Sequence, residues 1–406
     1  MSIACSQCGT LVELAPLRPG TRAECPTCAN PLERTVGRSL SAALACALAT
    51  FILLFPANML PLLSVAMLGM HRESRLLSGI TMLWAHHWPM LAILIGAFAF
   101  VLPFIRYGLL ALVLVFVRVA RRPPGLGMAF RWAMALDPWS MPDVFLIGLA
   151  IGYSRVAATL SVRLEWGGLC FIAAALLAMV ARATLDPRTV WRAIGPEESG
   201  PAPAQATISC TACDLVVAAA NEGSRCPRCA LTLHARKPDS LARTIALLVA
   251  GFVLFIPANV YPMTTDLELG AYVPHRIVDG IRELYEAGLW PLGILIFCTS
   301  IAIPFLKLAG LGWLLVSTRR RSVAHLRLKT RLYRFIEEIG RWSSTDVFTI
   351  AVFLPLIQFG ALATARAARG AVAFILVVIL TMLASRVFDP RLMWDAGLEN
   401  ERERRV

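Results

Sequence analysis

Residues Phe55 to Pro61 read FPANMLP, and the phrase returns at Ile256 to Pro262 as IPANVYP, 201 positions later. Each copy closes an apolar run, and the same landmarks follow in the same order. Gly79-Ile80 recurs as Gly280-Ile281, and LPFIR (Leu102 to Arg106) as IPFLK (Ile303 to Lys307), both 201 apart. Trp88-Pro89 meets Trp290-Pro291 at an offset of 202. WSMPDVF (Trp139 to Phe145) meets WSSTDVF (Trp342 to Phe348) at 203, as Asp186-Pro187-Arg188 meets Asp389-Pro390-Arg391. Ordered matches at a nearly constant spacing define an internal duplication.

The composition says where the two copies reside. Of 406 residues, 57% are hydrophobic and 16% charged, with a mean hydropathy of +0.66. A soluble domain carries about 25% charge and about 45–50% apolar residues. The runs Leu40 to Leu63 and Trp88 to Val117 exceed the ~20 residues that cross a bilayer core. The formal net charge of +13 invites a nucleic-acid reading, but its placement argues against one. Arg118, Arg121, Arg122 and Arg131, then Arg182, Arg188 and Arg192, then Arg319 to Arg321 with Arg327, Lys329, Arg331 and Arg334, sit beside the ends of apolar segments. That is how Lys and Arg fix topology by staying cytoplasmic. No aromatic-plus-basic surface accompanies them, so no nucleic-acid partner is expected. The first forty residues contain cysteines rather than an apolar run with a small-residue cleavage site, so no cleavable leader is expected and the N-terminus stays cytoplasmic.

The expected fold is an all-α polytopic membrane protein of two tandem modules, each a small zinc ribbon followed by about four transmembrane helices. Residues 1–36 form the first ribbon and 37–195 the first membrane module. Residues 196–206 (Pro-, Ala- and acid-rich) form a solvated linker. Residues 207–236 form the second ribbon, 237–395 the second module, and 396–406 a charged tail. Each module reads as a helix ending in Pro-Ala-Asn (about 40–62 and 241–262), a polar loop (about 64–80 and 263–285), and a long helix kinked at Pro103 or Pro304 (about 87–117 and 289–317). Two closely spaced helices follow a basic loop, at about 142–160 with 167–184, and 345–363 with 371–387. Short turns at Arg163-Leu164-Glu165 and Arg366 to Gly370 join them opposite the cysteines. Four crossings return the chain to its starting side, so the repeats run parallel and share an axis along the membrane normal.

Cys5-x2-Cys8 and Cys25-x2-Cys28 are separated by sixteen residues, and Cys210-x2-Cys213 and Cys226-x2-Cys229 by twelve. Two such hairpins offer four thiolates in tetrahedral array, the preference of structural zinc. Segments this short cannot build a core alone, so metal supplies most of their folding free energy. Iron in a rubredoxin-like site is the competing metal. Disulfides do not suit a cytoplasmic face, and a redox dithiol would need a thioredoxin-like setting. Cys46, Cys170 and Cys298 fall in apolar helices and read as packing residues.

An ionisable side chain near the bilayer centre costs about 2.5–3.5 kcal/mol on insertion scales and so invites a functional reading. Lys307 and its repeat mate Arg106 qualify. Each either snorkels to the interface or lines a polar cavity behind the proline kink. Asp143 and Asp346 open the third helix of each copy, where Ser140-x-x-Asp143 and Ser343-x-x-Asp346 also resemble capping boxes. Asp346 could in addition pair with Lys307. Thr381 could join them or hydrogen-bond within its own helix. Asn58 and Asn259 are placed to satisfy backbone groups beside a proline.

CxxC…CPxC, PANxxP, WSxxDVF and DPR-x-x-W, all duplicated, resemble the paraquat-inducible protein A family of LetA-like intermembrane transport subunits. The resemblance covers essentially the whole chain. It implies two structural zinc sites, a bacterial inner-membrane location with ribbons and both termini cytoplasmic, and a periplasm-spanning partner with MCE domains. It also implies movement of phospholipid rather than catalysis. Carried residue by residue, it points to Lys307, Asp346 and Thr381, with Asp143 from the first copy. There the counterpart of Lys307 is Arg106 and that of Thr381 is Ala178. A desolvated Lys can lose a proton whereas Arg effectively cannot, so a proton-coupled step belongs to the second copy. The absence of a G-x-x-x-x-G-K-[ST] string removes nucleotide as the energy source. The alternative is a membrane scaffold that anchors a partner through its ribbons without moving lipid.

Overall fold

A computed structural model describes residues 2–14, 20–34, 39–67, 70–157, 161–195, 207–268, 271–344, 348–349 and 363–395. The chain starts with β1 (Ser2–Ala4), β2 (Leu11–Glu13), β3 (Arg22–Glu24) and β4 (Pro31–Arg34), paired antiparallel as two hairpins. Helix α1 (Leu40–Met59) follows, its first turn capped by the Ser39 hydroxyl, which accepts from Ala42 N at 3.2 Å. Pro56 has no N–H to return to the preceding turn, and the helix stops within a turn of it. Asn58 Nδ2 there donates to the Leu54 carbonyl at 2.6 Å, as Asn259 does to Phe255 at 2.8 Å in the second copy.

The stretch expected to be a polar loop is structured. It forms a hairpin of β5 (Leu63–Met67) and β6 (Met70–Ser74) and then helix α2 (Leu76–Ala85). The next span is one 30-residue rod, Pro89–Arg118, built from α3 (Pro89–Gly96), a π turn (Ala97–Val101) and α4 (Leu102–Arg118). Pro103 explains the π turn: it cannot donate to the turn before it, and its ring pushes that turn's carbonyl away, so the chain widens to i→i+5 bonding. Helices α5 (Leu126–Ala135) and α6 (Pro142–Ala157) climb back across. Strand β7 (Ser161–Leu164) joins β5 on the side opposite β6, so the expected turn is the third strand of a small antiparallel sheet. Helices α7 (Trp166–Thr184) and α8 (Pro187–Ile194) close the copy.

The second copy repeats this plan with β8 (Thr207–Ser209), β9 (Val216–Ala218), α9 (Ser240–Val260), β10 (Thr264–Glu268), β11 (Ala271–His275) and α10 (Ile277–Glu286). Then come α11 (Trp290–Phe297), a π turn (Cys298–Ala302), α12 (Ile303–Arg319), α13 (Leu326–Ile339) and a 3-10 turn (Gly340–Ser344). Strand β12 (Ala363–Ala367) completes the sheet β11-β10-β12, so the loop expected at 263–285 and the turn at Arg366 to Gly370 are likewise structured. Helix α14 (Arg369–Val387) ends the module. The crossing expected at 345–363 lies outside the described residues, except Phe348, Thr349 and Ala363.

Among the described residues, six helices are long and apolar enough to cross a membrane, and α6 is apolar but shorter. Exposed apolar side chains such as Ile52, Phe55, Phe252 and Ile256 on α1 and α9 suit a lipid surround. Within a copy, α1 and α7 pack closely through Ala43, Ala47, Ala174, Ala178 and Ala181, all buried. Small residues let helix backbones approach where lipid offers no hydrophobic drive. The copies share one apolar core. At its centre the repeat-equivalent rings of Phe145 and Phe348 lie 5.4 Å apart. A side chain meeting its own counterpart is the mark of a two-fold relation.

The hairpin units bridge the copies: each keeps a bond to its own, Glu33 to Arg192 and Ser209 to Arg391, and packs on the other. The second, with Cys210 to Leu233, is buried in one cluster with Phe130 and Trp191 of the first copy. A Cβ at Gly127 on α5 would stand 1.8 Å from the Arg228 carbonyl oxygen, so this approach requires glycine. The first unit rests on the second copy: Arg327 on α13 donates to the Thr27 and Pro26 carbonyls at 2.9 and 3.2 Å, and Trp394 packs on the cysteine cluster. Both units and the ends of α4 and α7 lie at one end of the bundle, since Arg118 bonds Ser41 and Ser39 N donates to the Thr184 carbonyl. The two sheets form the other end.

Candidate functional site

Four knuckles share one backbone plan. Gly9, Ala29, Asp214 and Ala230, each directly after a CxxC, have φ of 78°, 57°, 57° and 57°. Each N–H returns to the first cysteine's carbonyl at 2.8–3.1 Å. The left-handed turn swings both thiols of a pair to one side. Sγ pairs lie 3.5 Å apart for Cys5–Cys28, Cys8–Cys25 and Cys210–Cys229, and 3.6 Å for Cys213–Cys226. These exceed the ~2.05 Å of a disulfide, and all eight cysteines are free and buried. Within each cluster the sulfurs lie within 4.8 Å of one another, so each can hold a metal ion. Around the first, Asn30 Nδ2 reaches Cys5 Sγ at 3.9 Å, and the Thr10 hydroxyl lies 3.2 Å from Cys8 Sγ.

The second constellation lies inside the bundle. In the first copy Arg106 on α4 is 1% exposed. It pairs with Asp137, donates to Tyr107 Oη at 2.6 Å, and lies 4.6 Å from the Tyr107 ring centroid. Asp137 also takes Arg182 Nε at 3.1 Å, and Arg182 Nη1 donates to Asp143 at 2.9 Å. Two guanidiniums and two carboxylates thus alternate in one network, Arg106–Asp137–Arg182–Asp143. Asp143 therefore does not serve as a simple cap. Helix α6 starts at Pro142, whose fixed φ suits a first position, and the Ser140 hydroxyl is buried with no partner among the described residues.

The second copy arranges the same positions differently. Lys307 on α12 is fully buried, and its Nζ donates to the Gly340 carbonyl at 3.2 Å. The Ser343 hydroxyl donates to the same oxygen at 2.8 Å. Thr381 is fully buried and bonds the Val378 carbonyl at 3.0 Å within its own helix, while packing against Gly251. Asp346 lies outside the described residues. Among those described, no carboxylate pairs with Lys307.

The family model for paraquat-inducible protein A matches residues 40–195 and again 241–397. The chain belongs to the paraquat-inducible protein A family. It is 32% identical to the intermembrane transport protein PqiA of Escherichia coli K12, over 99% of this chain and 97% of that protein. It is 29% identical to the lipophilic envelope-spanning tunnel protein A of the same strain, over 97% and 91%. A probable intermembrane transport protein of Haemophilus influenzae is 26% identical over 97% and 95%. No solved structure matches it.

In this family member each matched stretch contains one polar cluster, and residues that sequence reasoning passed over complete it. Asp137 escaped notice, and Arg182 reads from sequence only as a charge at a segment end, because each lies far along the chain from Arg106. The repeat holds the signal: at offset 203, Asp137 aligns with Gly340 and Arg182 with Ser385. A second signal is lysine itself, of which the chain has three, at 237, 307 and 329, against 36 arginines. Each lysine Nζ donates to a backbone carbonyl: Lys237 to Arg386 and Phe388 at 2.6 and 3.1 Å, Lys329 to Ser322 at 2.7 Å, and Lys307 to Gly340. Desolvation holds the Lys237 ammonium below the usual lysine range.

A cavity of about 210 Å³ opens between the copies, lined by Asp137 and Arg182 of the first and Glu337, Glu338, Gly340, Ser385 and Arg386 of the second. A second, apolar groove of about 280 Å³ lies near the sheet end of the first copy, lined by Leu63, Leu146, Leu149, Tyr153 and Leu164 among others. The arrangement offers two metal-binding end pieces, an ionic brace, and one buried primary amine beside a polar cavity.

Proposed function

We propose that the chain is the inner-membrane subunit of an intermembrane phospholipid transport system, passing lipid between that membrane and a periplasm-spanning MCE-domain partner. The names of its relatives support intermembrane transport. The observation that carries a direct role is Lys307: a buried ammonium inside a span, seated on a backbone carbonyl beside a cavity. Such a group is too costly to keep for anchoring alone. Lys307, Asp346 and Thr381 form the transport cluster, with Asp143 and Arg106 as its counterparts in the first copy. Coupling is to protons, because a desolvated lysine can release one.

The cysteine clusters hold zinc. Bonds of about 2.3 Å at tetrahedral angles place sulfurs roughly 3.8 Å apart, close to the spacings observed, and iron is the less suited alternative. The zinc supplies structure rather than chemistry, since four sulfurs leave no open position. Arg118, Arg121, Arg122 and Arg319 to Arg321 gather at the ribbon end, which supports a cytoplasmic placement of both ribbons and both termini. The working division is two ribbons (1–36, 207–236), two membrane modules (37–195, 237–395), a linker and a tail.

Lys307→Ala and Asp346→Asn are each expected to reproduce the envelope-lipid defects of cells lacking the protein. If both leave those phenotypes intact, the reading fails. A scaffold would show the converse, with cysteine variants inactive and the membrane charges dispensable.

A further inference from the structure

The copies differ most informatively at two aligned positions. Where the first has Asp137 and Arg182, the second has Gly340 and Ser385. In the first copy Asp137 pairs with Arg106 and with Arg182. Ser385 turns its hydroxyl back to the Met382 carbonyl at 2.9 Å and carries no charge.

Gly340 is not required by its own backbone. Its φ and ψ are −58° and −28°, an ordinary helical conformation open to any residue. It is required by Lys307. A Cβ at 340 would lie 3.1 Å from Lys307 Cε and 3.2 Å from Nζ, tighter than side chains normally tolerate. The missing side chain is the space the ammonium occupies. Its only bond among the described residues goes to the Gly340 carbonyl, a dipole rather than a counter-charge.

We propose that Gly340 is a positioning residue for Lys307: by carrying no side chain, it withholds the fixed aspartate that the first copy supplies and seats the ammonium on a carbonyl at the wall of the inter-copy cavity. The proposal rests on the reading that Lys307 takes part in transport. The duplication has then given one copy a locked cation and the other a releasable one. The locked cation is also arginine and the releasable one lysine, so residue type and surroundings agree. The charged groups that share the cavity wall with Gly340 are Glu337 and Glu338 from α13, Arg386 from α14, and Asp137 and Arg182 of the first copy. The buried residues of α9 and of α14 are all uncharged. Asp346 lies outside the described residues.

The test compares Gly340→Asp with Gly340→Asn, which add nearly the same bulk and differ in charge. The full chain, with ε-15N-lysine, is placed in nanodiscs of phosphatidylethanolamine and phosphatidylglycerol. Its three lysines give three resonances, with Lys237 and Lys329 as internal references. An aspartate within about 4–6 Å raises an ammonium's titration midpoint by about 1–3 pH units. Gly340→Asp is expected to move the Lys307 midpoint upward by that amount relative to the native chain and to abolish lipid transport. Gly340→Asn, whose Cβ crowds Lys307 to the same degree, is expected to lower transport by displacing the ammonium but to leave its midpoint without that rise. A midpoint that rises equally in both variants or stays unmoved in Gly340→Asp, or native transport by Gly340→Asn, overturns the proposal. Should Gly340→Asp not fold, the triple variant Lys307→Arg, Gly340→Asp, Ser385→Arg installs the first copy's set; it is expected to fold and to be inert, and transport by it overturns the proposal. Lys307→Met separately tests the underlying reading, which fails if that variant transports normally, whatever Gly340 does.

Discussion

Arg106 and Lys307 occupy the same place in their copies and meet opposite surroundings, and the difference can be measured residue by residue. Arg106 sits in a network in which Asp137 answers two guanidiniums. Removing one partner of a buried pair leaves an uncompensated charge and costs about 3–5 kcal/mol, whereas an apolar pair of similar volume is often neutral. Asp137→Asn is therefore expected to lower thermal stability by that order, and Arg106→Met with Asp137→Leu to recover most of it, as read by melting in detergent. The candidate ligands and the buried cations were legible in the sequence, because CxxC spacing and a charge inside an apolar run are local signals. Their partners were not. Asp137 reaches Arg106 only after the chain has reversed direction, and Ser140-x-x-Asp143 looked like a cap because the sequence does not show Arg182 arriving opposite.

At the scale of elements, apolar runs gave the long helices to within a few residues, PAN marked the ends of α1 and α9, and WSxxD the start of α6. The short strands escaped because they are only four or five residues long and mix Ser, Thr, Arg and Glu with apolar residues. A hairpin and a polar loop of that length have the same composition, and the third strand of each sheet arrives from about a hundred residues away. Proline was read as a kink, whereas each copy absorbs it in a π turn just before Pro103 or Pro304. The extra residue in that turn re-aims everything on one side of it by about 100° relative to a regular helix. Pro304→Ala permits a regular turn and would rotate the sheet-end segment relative to Lys307 and Gly340. Transport is expected to fall much more than thermal stability does. Equal falls in both would mean that the turn serves packing alone.

For the whole molecule, the constant offset predicts a duplication and the even number of crossings predicts parallel copies, and the contact of Phe145 with Phe348 fits the axis that such copies share. Nothing local predicted that each ribbon would rest on the other copy, because crossing over depends on which apolar faces remain uncovered once both modules have packed. The crossing ties metal binding in one half to order in the other. Cys226→Ser with Cys229→Ser is expected to strip metal from the second ribbon and to raise amide exchange across Leu126–Ala135 of the first copy, which packs against it. Exchange confined to the second copy would contradict the crossed packing. The central claim is that the second copy carries transport while the first braces it. Its most direct test follows transfer of a fluorescent phospholipid from phosphatidylethanolamine–phosphatidylglycerol vesicles to the proposed MCE-domain partner under an imposed pH gradient, comparing Lys307→Met with Arg106→Met. The account predicts that Lys307→Met abolishes gradient-driven transfer with native metal content and melting, while Arg106→Met chiefly lowers the melting temperature. Native-rate, gradient-driven transfer by Lys307→Met would contradict it.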